Sequence, residues 1–360
     1  MAVMGSVNPR QPADAVEPSS ARSAKSVRNP ALDFTKGALV LIMVLYHWFN
    51  YFYSAQEDVY KYLRFLTPSF IFITGFLISN IYLGKYSVSD SRLPRRLAQR
   101  GFKILGVFLA LNVVRAVLLS RGSRDQLLSE YASLQGLTRM YVTGTNLGGG
   151  QTKAMAFYVL LPIAYLLMLS ALLLLVARFY RHTFYVSCGA MLLFALALDA
   201  YGVSSTNLEL VAIGLLGVVC GYAPIQRVNG LVRHPFMLSG LYAAYLYSIT
   251  VWNVVYPLQI VGVLLSLMII YLIGSAGNEK RRVRAITILL GKYSLLGYIA
   301  QIAVLQVLRR GLSVAGLSSQ IAMVVSFPTA VALTIGVVAA SDWARRGSGR
   351  ADRLYRAVFA

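Results

Sequence analysis

The sequence predicts an all-α protein, a polytopic bundle of about ten transmembrane helices. Three observations predict this fold class. Of the 360 residues, 57% are hydrophobic and only 13% are charged, whereas an ordinary soluble domain carries roughly 25% charged residues. Apolar stretches of about 20 residues, the length that crosses a bilayer, recur along the whole chain. The composition therefore excludes a soluble globular protein.

The predicted spans follow one another with polar loops between nearly all of them. They lie near residues 34–53, 64–83, 102–120, 155–177, 184–201, 206–223, 236–255, 256–274, 286–308 and 313–340. Only the seventh and eighth lack a clear polar loop between them. There Trp252 supplies an interfacial aromatic residue and Pro257 a helix breaker, and these two residues place the boundary.

The predicted membrane domain, residues 31–341, lies between two basic segments. Residues 1–30 are rich in Ser, Ala, Pro and Arg and lack an apolar core, so we expect a disordered arm and no signal-peptide cleavage. Residues 342–360 form a basic tail. One set of alternate loops holds 23 Lys and Arg, against eight in the other set. Because basic residues stay on the cytoplasmic side during insertion, we expect an inner (plasma) membrane protein with both termini in the cytoplasm.

The formal net charge of +21 belongs to these loops. The apolar runs leave no face for nucleic acid, so we expect membrane lipids and no nucleic acid among the partners. Cys188 and Cys220 both fall inside apolar spans, with no paired framework and no metal-ligand spacing. The sequence therefore predicts neither a disulfide nor a metal site.

Ionisable residues in the first span indicate a functional site, because such groups cost several kcal/mol inside a bilayer. Asp33 and Lys36 lie at the start of this span and His47 lies well inside it. Eleven residues carry the helix from Lys36 to His47, about 20° past three full turns, so both share one face about 16 Å apart. A cation there could hold phosphate, and an imidazole could take a hydroxyl proton. The alternative is that His47 is a packed histidine bonded to a backbone carbonyl.

This span resembles the signature of the acyltransferase family 3 membrane proteins and of the related glucan succinyltransferases. In those families a Leu-Asp pair opens the first helix, a basic-Gly pair follows, and ten residues separate the basic residue from a His. Here these are Leu32-Asp33, Lys36-Gly37 and His47. The family usually has Arg at the position of Lys36, and Lys keeps the charge but loses the bidentate fork.

Two further stretches extend the resemblance. The aromatic-rich second span, with Thr74-Gly75-Phe76, is followed by a basic loop over Arg92–Arg100, as in the family. Residues 290–301 resemble the family's Leu-Gly-x-x-Ser-x-x-x-Tyr-x-x-His block. Gln301 replaces the second His of that block, which leaves His47 as the sole intramembrane base.

The resemblance implies an integral membrane O-acyltransferase. It would move an acyl group, most often acetyl, from cytoplasmic acyl-CoA to a hydroxyl of an extracytoplasmic glycan or lipid-linked sugar. His47 would be the general base and Asp33 its catalytic support or a structural partner of Lys36. The predicted CoA-phosphate contacts are Lys36, Arg95, Arg96 and Arg100, and the predicted substrate contacts are Asn112, Arg115, Ser294, Tyr298 and Gln301.

Several of these features also have explanations that do not involve acyl transfer. The basic loop could merely set topology and attract anionic lipid, and Arg115 could simply snorkel to the interface. The outer loop, residues 121–154, could be a plain connector or a lid that touches a glycan. For the whole chain the alternative is a secondary transporter, although the two halves show no internal repeat. A scaffold without catalysis would leave the shared face of Lys36 and His47 unexplained.

Overall fold

The computed structural model confirms the all-α fold class. It describes residues 29–53, 60–83, 90, 92–118, 125, 128–129, 131–144, 156–203, 205–231, 233–252, 254–276, 281–314 and 319–359, and these contain helices and no strand. Eight of the described helices are long and apolar enough to cross a membrane. The predicted arm, except for its last two residues, lies outside the described part of the chain.

Fourteen helices make up the described chain. The first seven are α1 (Pro30–Trp48), α2 (Leu66–Leu77), α3 (Arg92–Leu118), α4 (Leu134–Leu137), α5 (Leu160–Ala177), α6 (Thr183–Ala200) and α7 (Thr206–Gly221). The others are α8 (Ile225–Leu231), α9 (Pro235–Trp252), α10 (Tyr256–Ala276), α11 (Arg282–Lys292), α12 (Ser294–Val314), α13 (Ser319–Gly347) and α14 (Gly349–Phe359). A 3-10 turn, Lys61–Leu63, precedes α2. One π-helical turn each extends α1, α2 and α4, over Phe49–Tyr53, Ile78–Leu83 and Thr138–Thr143.

The helix bounds differ from the predicted spans in four places. Arg92–Arg100, predicted as a loop, forms the first turns of α3, because the helix continues beyond its apolar part. The ninth span, 286–308, is broken at Tyr293 into α11 and α12. The tenth runs from Ser319 to Gly347, so the boundary at 341 falls inside α13. The predicted sixth and seventh spans, α7 and α9, are helical but are not among the eight long apolar helices.

Small residues bring the helices close together. The principal contacts pair α2 with α7, α3 with α5, and α1 with α11. Gly75 of the Thr-Gly-Phe motif lies against the backbone of Gly214, and Gly217 lies against the backbone of Phe72. In lipid, where hydrophobic burial drives little helix association, such close backbone approach is a main source of packing energy. The motif glycine of the second span is thus a packing residue.

Part of the outer loop is helical and anchored to the bundle. Met140 of its π-helical turn is buried. The Asn207 amide donates to the carbonyl oxygen of Tyr141 at 3.0 Å, and the Tyr165 hydroxyl donates to the same oxygen at 2.9 Å. Residues 134–144 are therefore anchored to the bundle, whereas 145–155, which include most of the Gly-rich stretch, lie outside the described residues.

α1 and α3 both begin at one end of the bundle, which we call the basic end, because α2 returns the chain to that end. Lys103 donates to the carbonyl oxygen of Arg356 at 3.4 Å, and the Tyr355 ring packs against Tyr293 at 5.3 Å. Asp352 of α14 accepts from Arg345 at 2.6 Å. The last helix is therefore folded back against α3, α12 and α13.

Candidate functional site

The start of α1 is packed backbone to backbone against α11. A side chain on Gly37 would overlap the carbonyl oxygen of Thr287, and one on Gly291 would overlap the carbonyl oxygen of Asp33. The Asn29 side chain caps α1 by accepting from the amides of Ala31 and Leu32. The family-like segments at the two ends of the chain are thus in direct contact.

Asp33 and Lys36 form an ion pair within this contact. The Lys36 ammonium lies 2.7 Å from the Asp33 carboxylate, and the two side chains are 17% and 5% exposed. One helical turn separates the two residues, which lets their side chains meet. The pairing that the sequence suggested for Asp33 is therefore present, while the role of either residue in catalysis or donor binding stays a prediction.

His47 lies near the other end of α1 and faces the second motif segment. Its ring is 5.2 Å from that of Tyr46 and 6.4 Å from that of Tyr298, measured between centroids. Tyr298 is 5% exposed. The first-span histidine and the tyrosine of the 290–301 block, predicted as parts of one site, are therefore neighbours.

The aromatic surroundings of Tyr298 are held in place by Asn112. The Tyr298 ring lies 6.5 Å from Phe70 and 6.3 Å from Phe157. Phe157 has a φ of 58°, unusual for a residue with a side chain. The Asn112 amide accepts from the amide of Ala156 at 3.0 Å and donates to its carbonyl oxygen at 3.1 Å. Asn112 thus fixes the backbone beside Phe157, and a direct contact of Asn112 with substrate stays a prediction.

Gln301 is the most unusual polar residue of the site. Its side chain is fully buried, and neither end of its amide makes a hydrogen bond within the described part of the chain. Leaving a buried polar group unsatisfied costs about 1–3 kcal/mol. Because Gln301 follows Tyr298 by three residues on α12, the two side chains share one helix face. A contact between this amide and substrate stays a prediction.

The remaining predicted substrate residues lie on either side of this centre. Ser294 opens α12 one turn closer to the basic end than Tyr298. Arg115 lies near the far end of α3. A contact of Arg115 with substrate and its snorkelling to the interface both stay open.

The three arginines predicted to bind CoA phosphates belong to another part of the basic end. They lie on α3, whose principal neighbour is α5, whereas α1 packs mainly against α11, α10 and α12. Arg95 and Arg96 are exposed. Arg100 donates to the hydroxyl of Tyr82. The structure therefore brings Arg100 against the π-helical turn that extends α2, and the role of the three arginines in donor binding stays a prediction.

Sequence reasoning missed two groups of polar residues. At the basic end a cleft is lined by residues of α1, α8, α10 and α11 and by Arg233. At the opposite end the Gln306 amide donates to the Tyr51 hydroxyl at 3.2 Å, and Arg309 lies over the Tyr51 ring. Each group is assembled from distant segments, so no local sequence pattern marks it.

The family model described as an acyltransferase domain matches residues 29–346, nearly the whole described chain. The chain belongs to the acyltransferase 3 family. No curated protein and no solved structure matches it. A member of this family that carries several apolar helices is a membrane acyltransferase. The match supports the enzyme and gives no support to the secondary transporter.

Proposed function

We propose that this acyltransferase moves an acyl group, most often acetyl, from cytoplasmic acyl-CoA to a hydroxyl of an extracytoplasmic glycan or lipid-linked sugar. The observation that carries the proposal is the packing of His47 against Tyr298, with centroids 6.4 Å apart, inside the membrane-spanning bundle. It joins the two segments that resemble the family's motifs around one imidazole. Placing an ionisable side chain inside the membrane costs free energy, so such a residue usually marks a functional site.

In the proposed reaction His47 acts as general base. It takes the proton of the acceptor hydroxyl as that oxygen attacks the carbonyl carbon of the thioester. A carbon–oxygen bond forms and the carbon–sulfur bond breaks. The departing thiolate then receives the proton from the imidazolium, so that the products are an O-acyl ester and free CoA, and His47 is neutral again.

The buried Gln301 amide supplies the hydrogen-bonding capacity that this reaction needs. Its NH₂ group can donate to the thioester oxygen as negative charge develops there, and its oxygen can accept from a hydroxyl. Ser69, fully buried on α2, also has a hydroxyl without a hydrogen-bond partner among the described residues. Tyr298 and its aromatic neighbours would exclude water from the reacting thioester.

The dimensions of α1 suit an extended donor. From Ala31 at the basic end to His47 the helix rises about 24 Å. The arm of acyl-CoA is a long chain with phosphates at one end and the thioester at the other. A donor held by its phosphates at the basic end can therefore present its acyl group near His47, and the acceptor can approach from the Arg115 side.

Acyl transfer by His47→Ala tests the proposal. The purified protein in proteoliposomes should transfer labelled acetyl from acetyl-CoA to envelope saccharides, and the variant should lose about 10² to 10⁴ of the rate. His182→Ala is the control, because His182 is exposed outside the spans. Envelope saccharides from cells with and without the protein should differ by acyl groups in mass spectrometry. Full transfer by His47→Ala would refute the base, and unchanged saccharides would refute the acceptor class.

A further inference from the structure

The basic end holds a cleft that neither the family match nor the predicted CoA contacts account for. Its volume is about 460 Å³, within the range of small-molecule sites. It opens between α1, α8, α10 and α11. The polar residues that line it are Asn29, Asn229, Arg233, Tyr271, Ser275 and Arg284.

Charge decides what kind of ligand this cleft can take. Two guanidinium groups, from Arg233 and Arg284, line it, and none of its described lining residues is acidic. Arg284 is 8% exposed and donates to the carbonyl oxygen of Gly274 at 2.5 Å, so it is held rigidly inside the protein. Arg233 is exposed. One buried and one exposed guanidinium suit an anion with several oxygens.

A hydrogen-bonded hub preorganises the cleft. The Tyr271 hydroxyl donates to the Asn229 side-chain oxygen at 2.8 Å and accepts from the Asn29 amide at 3.2 Å. This chain ties α10 to α8 and to the residue that caps α1. Because the Asn229 oxygen is engaged by Tyr271, its NH₂ group is the part of the amide that can donate to an acceptor such as a phosphate oxygen. Polar groups fixed before binding lose little entropy when a ligand arrives.

We propose that this cleft binds the phosphate groups of the acyl donor. The inference rests on the proposed acyl-CoA donor. It places the phosphate-binding site of that donor at the start of α1 instead of the start of α3. The cleft includes Asn29, Pro30 and Ala31, so its ligand lies at the foot of the helix that carries His47. Arg95 and Arg96, on α3, would then serve membrane topology rather than donor binding.

Binding of CoA to the purified full-length protein in neutral detergent tests this site. Arg233→Gln should weaken CoA binding roughly 10- to 100-fold, the loss expected for one charge-assisted contact. Tyr271→Phe, which breaks the hub and keeps the charge, should weaken it less. Arg227→Gln is the matched control, because Arg227 is an exposed arginine of α8 outside the cleft. It should bind CoA as the wild type does.

Each result has one reading. Wild-type CoA affinity in Arg233→Gln, together with a loss in Arg95→Gln/Arg96→Gln, would overturn the cleft and leave the proposed acyl transfer standing. If Arg233→Gln bound phosphatidylglycerol in mixed micelles more weakly than the wild type but bound CoA equally well, the cleft would be a lipid-headgroup site. That result would overturn the donor site. A wild-type protein that neither binds CoA nor transfers acetyl would overturn the proposed function itself.

Discussion

The backbone carbonyl oxygen of Asp33 lies in the space where a side chain on Gly291 would begin. The reciprocal relationship holds between Gly37 and the carbonyl oxygen of Thr287. Two segments from opposite ends of the chain therefore touch through their backbones, which only glycine permits at these two positions. This contact sets the position of Lys36 and, through the rigid helix, that of His47.

Gly291→Ala should lower the unfolding temperature of the purified protein. Its new methyl group must push α1 and α11 apart, and overpacking of this kind costs about 1–3 kcal/mol. Gly240 on α9 is the matched control, since a side chain there meets nothing within 4 Å. Gly240→Ala should leave the unfolding temperature unchanged or raise it. Equal unfolding temperatures for Gly291→Ala and the wild type would contradict the close approach.

Neutral variants of Asp33 and Lys36 separate a role of Lys36 in acyl transfer from its role in neutralising the Asp33 carboxylate. Lys36→Gln should cost about 10- to 100-fold in acyl transfer and also some stability, since it leaves the buried Asp33 carboxylate without the Lys36 ammonium. Asp33→Asn/Lys36→Gln should restore the stability without restoring the activity. Lys36→Arg should retain most activity because the spacing to His47 is unchanged. If the double variant recovered transfer, Lys36 would serve only to neutralise Asp33.

Gln301→Leu should make the protein slightly more stable and much less active. The wild-type amide is buried without a hydrogen bond among the described residues, so an apolar side chain of similar size removes a desolvation cost. Acyl transfer should fall about 10-fold or more, because the loss of one positioned donor weakens the transition state. Thermal unfolding and initial rates measure the two effects. A variant that was both less stable and fully active would show that Gln301 serves only the fold.

Docking of α14 should depend on pH through Asp352. The Arg345 guanidinium, which hydrogen-bonds this carboxylate, holds the pKa of Asp352 below its usual value of about 3.9. A lowered pKa means that the folded state binds the proton less readily than the unfolded state, so the stabilisation is present above about pH 4 and is lost as the pH falls through the folded pKa. The backbone amides of Gly349–Phe359 in the wild type should therefore be protected from hydrogen exchange near neutral pH, after correction for intrinsic rates. This protection should be lost as the pH falls below about 4. Asp352→Asn should lose that protection at every pH.

Hydropathy was sufficient to predict the fold class, because a membrane span needs a long apolar run and little else. It could not predict that α3 begins at Arg92, since a helix continues through polar residues once it has left the apolar layer. The break at Tyr293 was also missed, because the sequence around it contains no proline. At the break the Tyr293 hydroxyl donates to Asp342 of α13 at 2.7 Å, a tertiary contact that the local sequence does not reveal.

The candidate site was predicted in part for the same reason. His47 stood out because ionisable residues in apolar spans are rare, whereas Tyr298 and Gln301 were predicted from the resemblance of residues 290–301 to the family's block. The structure places His47 beside Tyr298. Asn112 stood out equally, yet its amide bonds the backbone of Ala156. Arg284 and Tyr271 looked ordinary in the sequence, since a cleft assembled from four separate segments leaves no local pattern.

Trp48, next to His47 in the chain, gives the protein an optical probe. Its indole nitrogen donates to the Ser326 hydroxyl at 2.8 Å, and its ring packs on Phe327 at 5.4 Å. The other two tryptophans, Trp252 and Trp343, are 67% and 79% exposed. Replacing both with Phe would leave a single emitter, whose fluorescence would report ligand arrival beside the imidazole without any added dye.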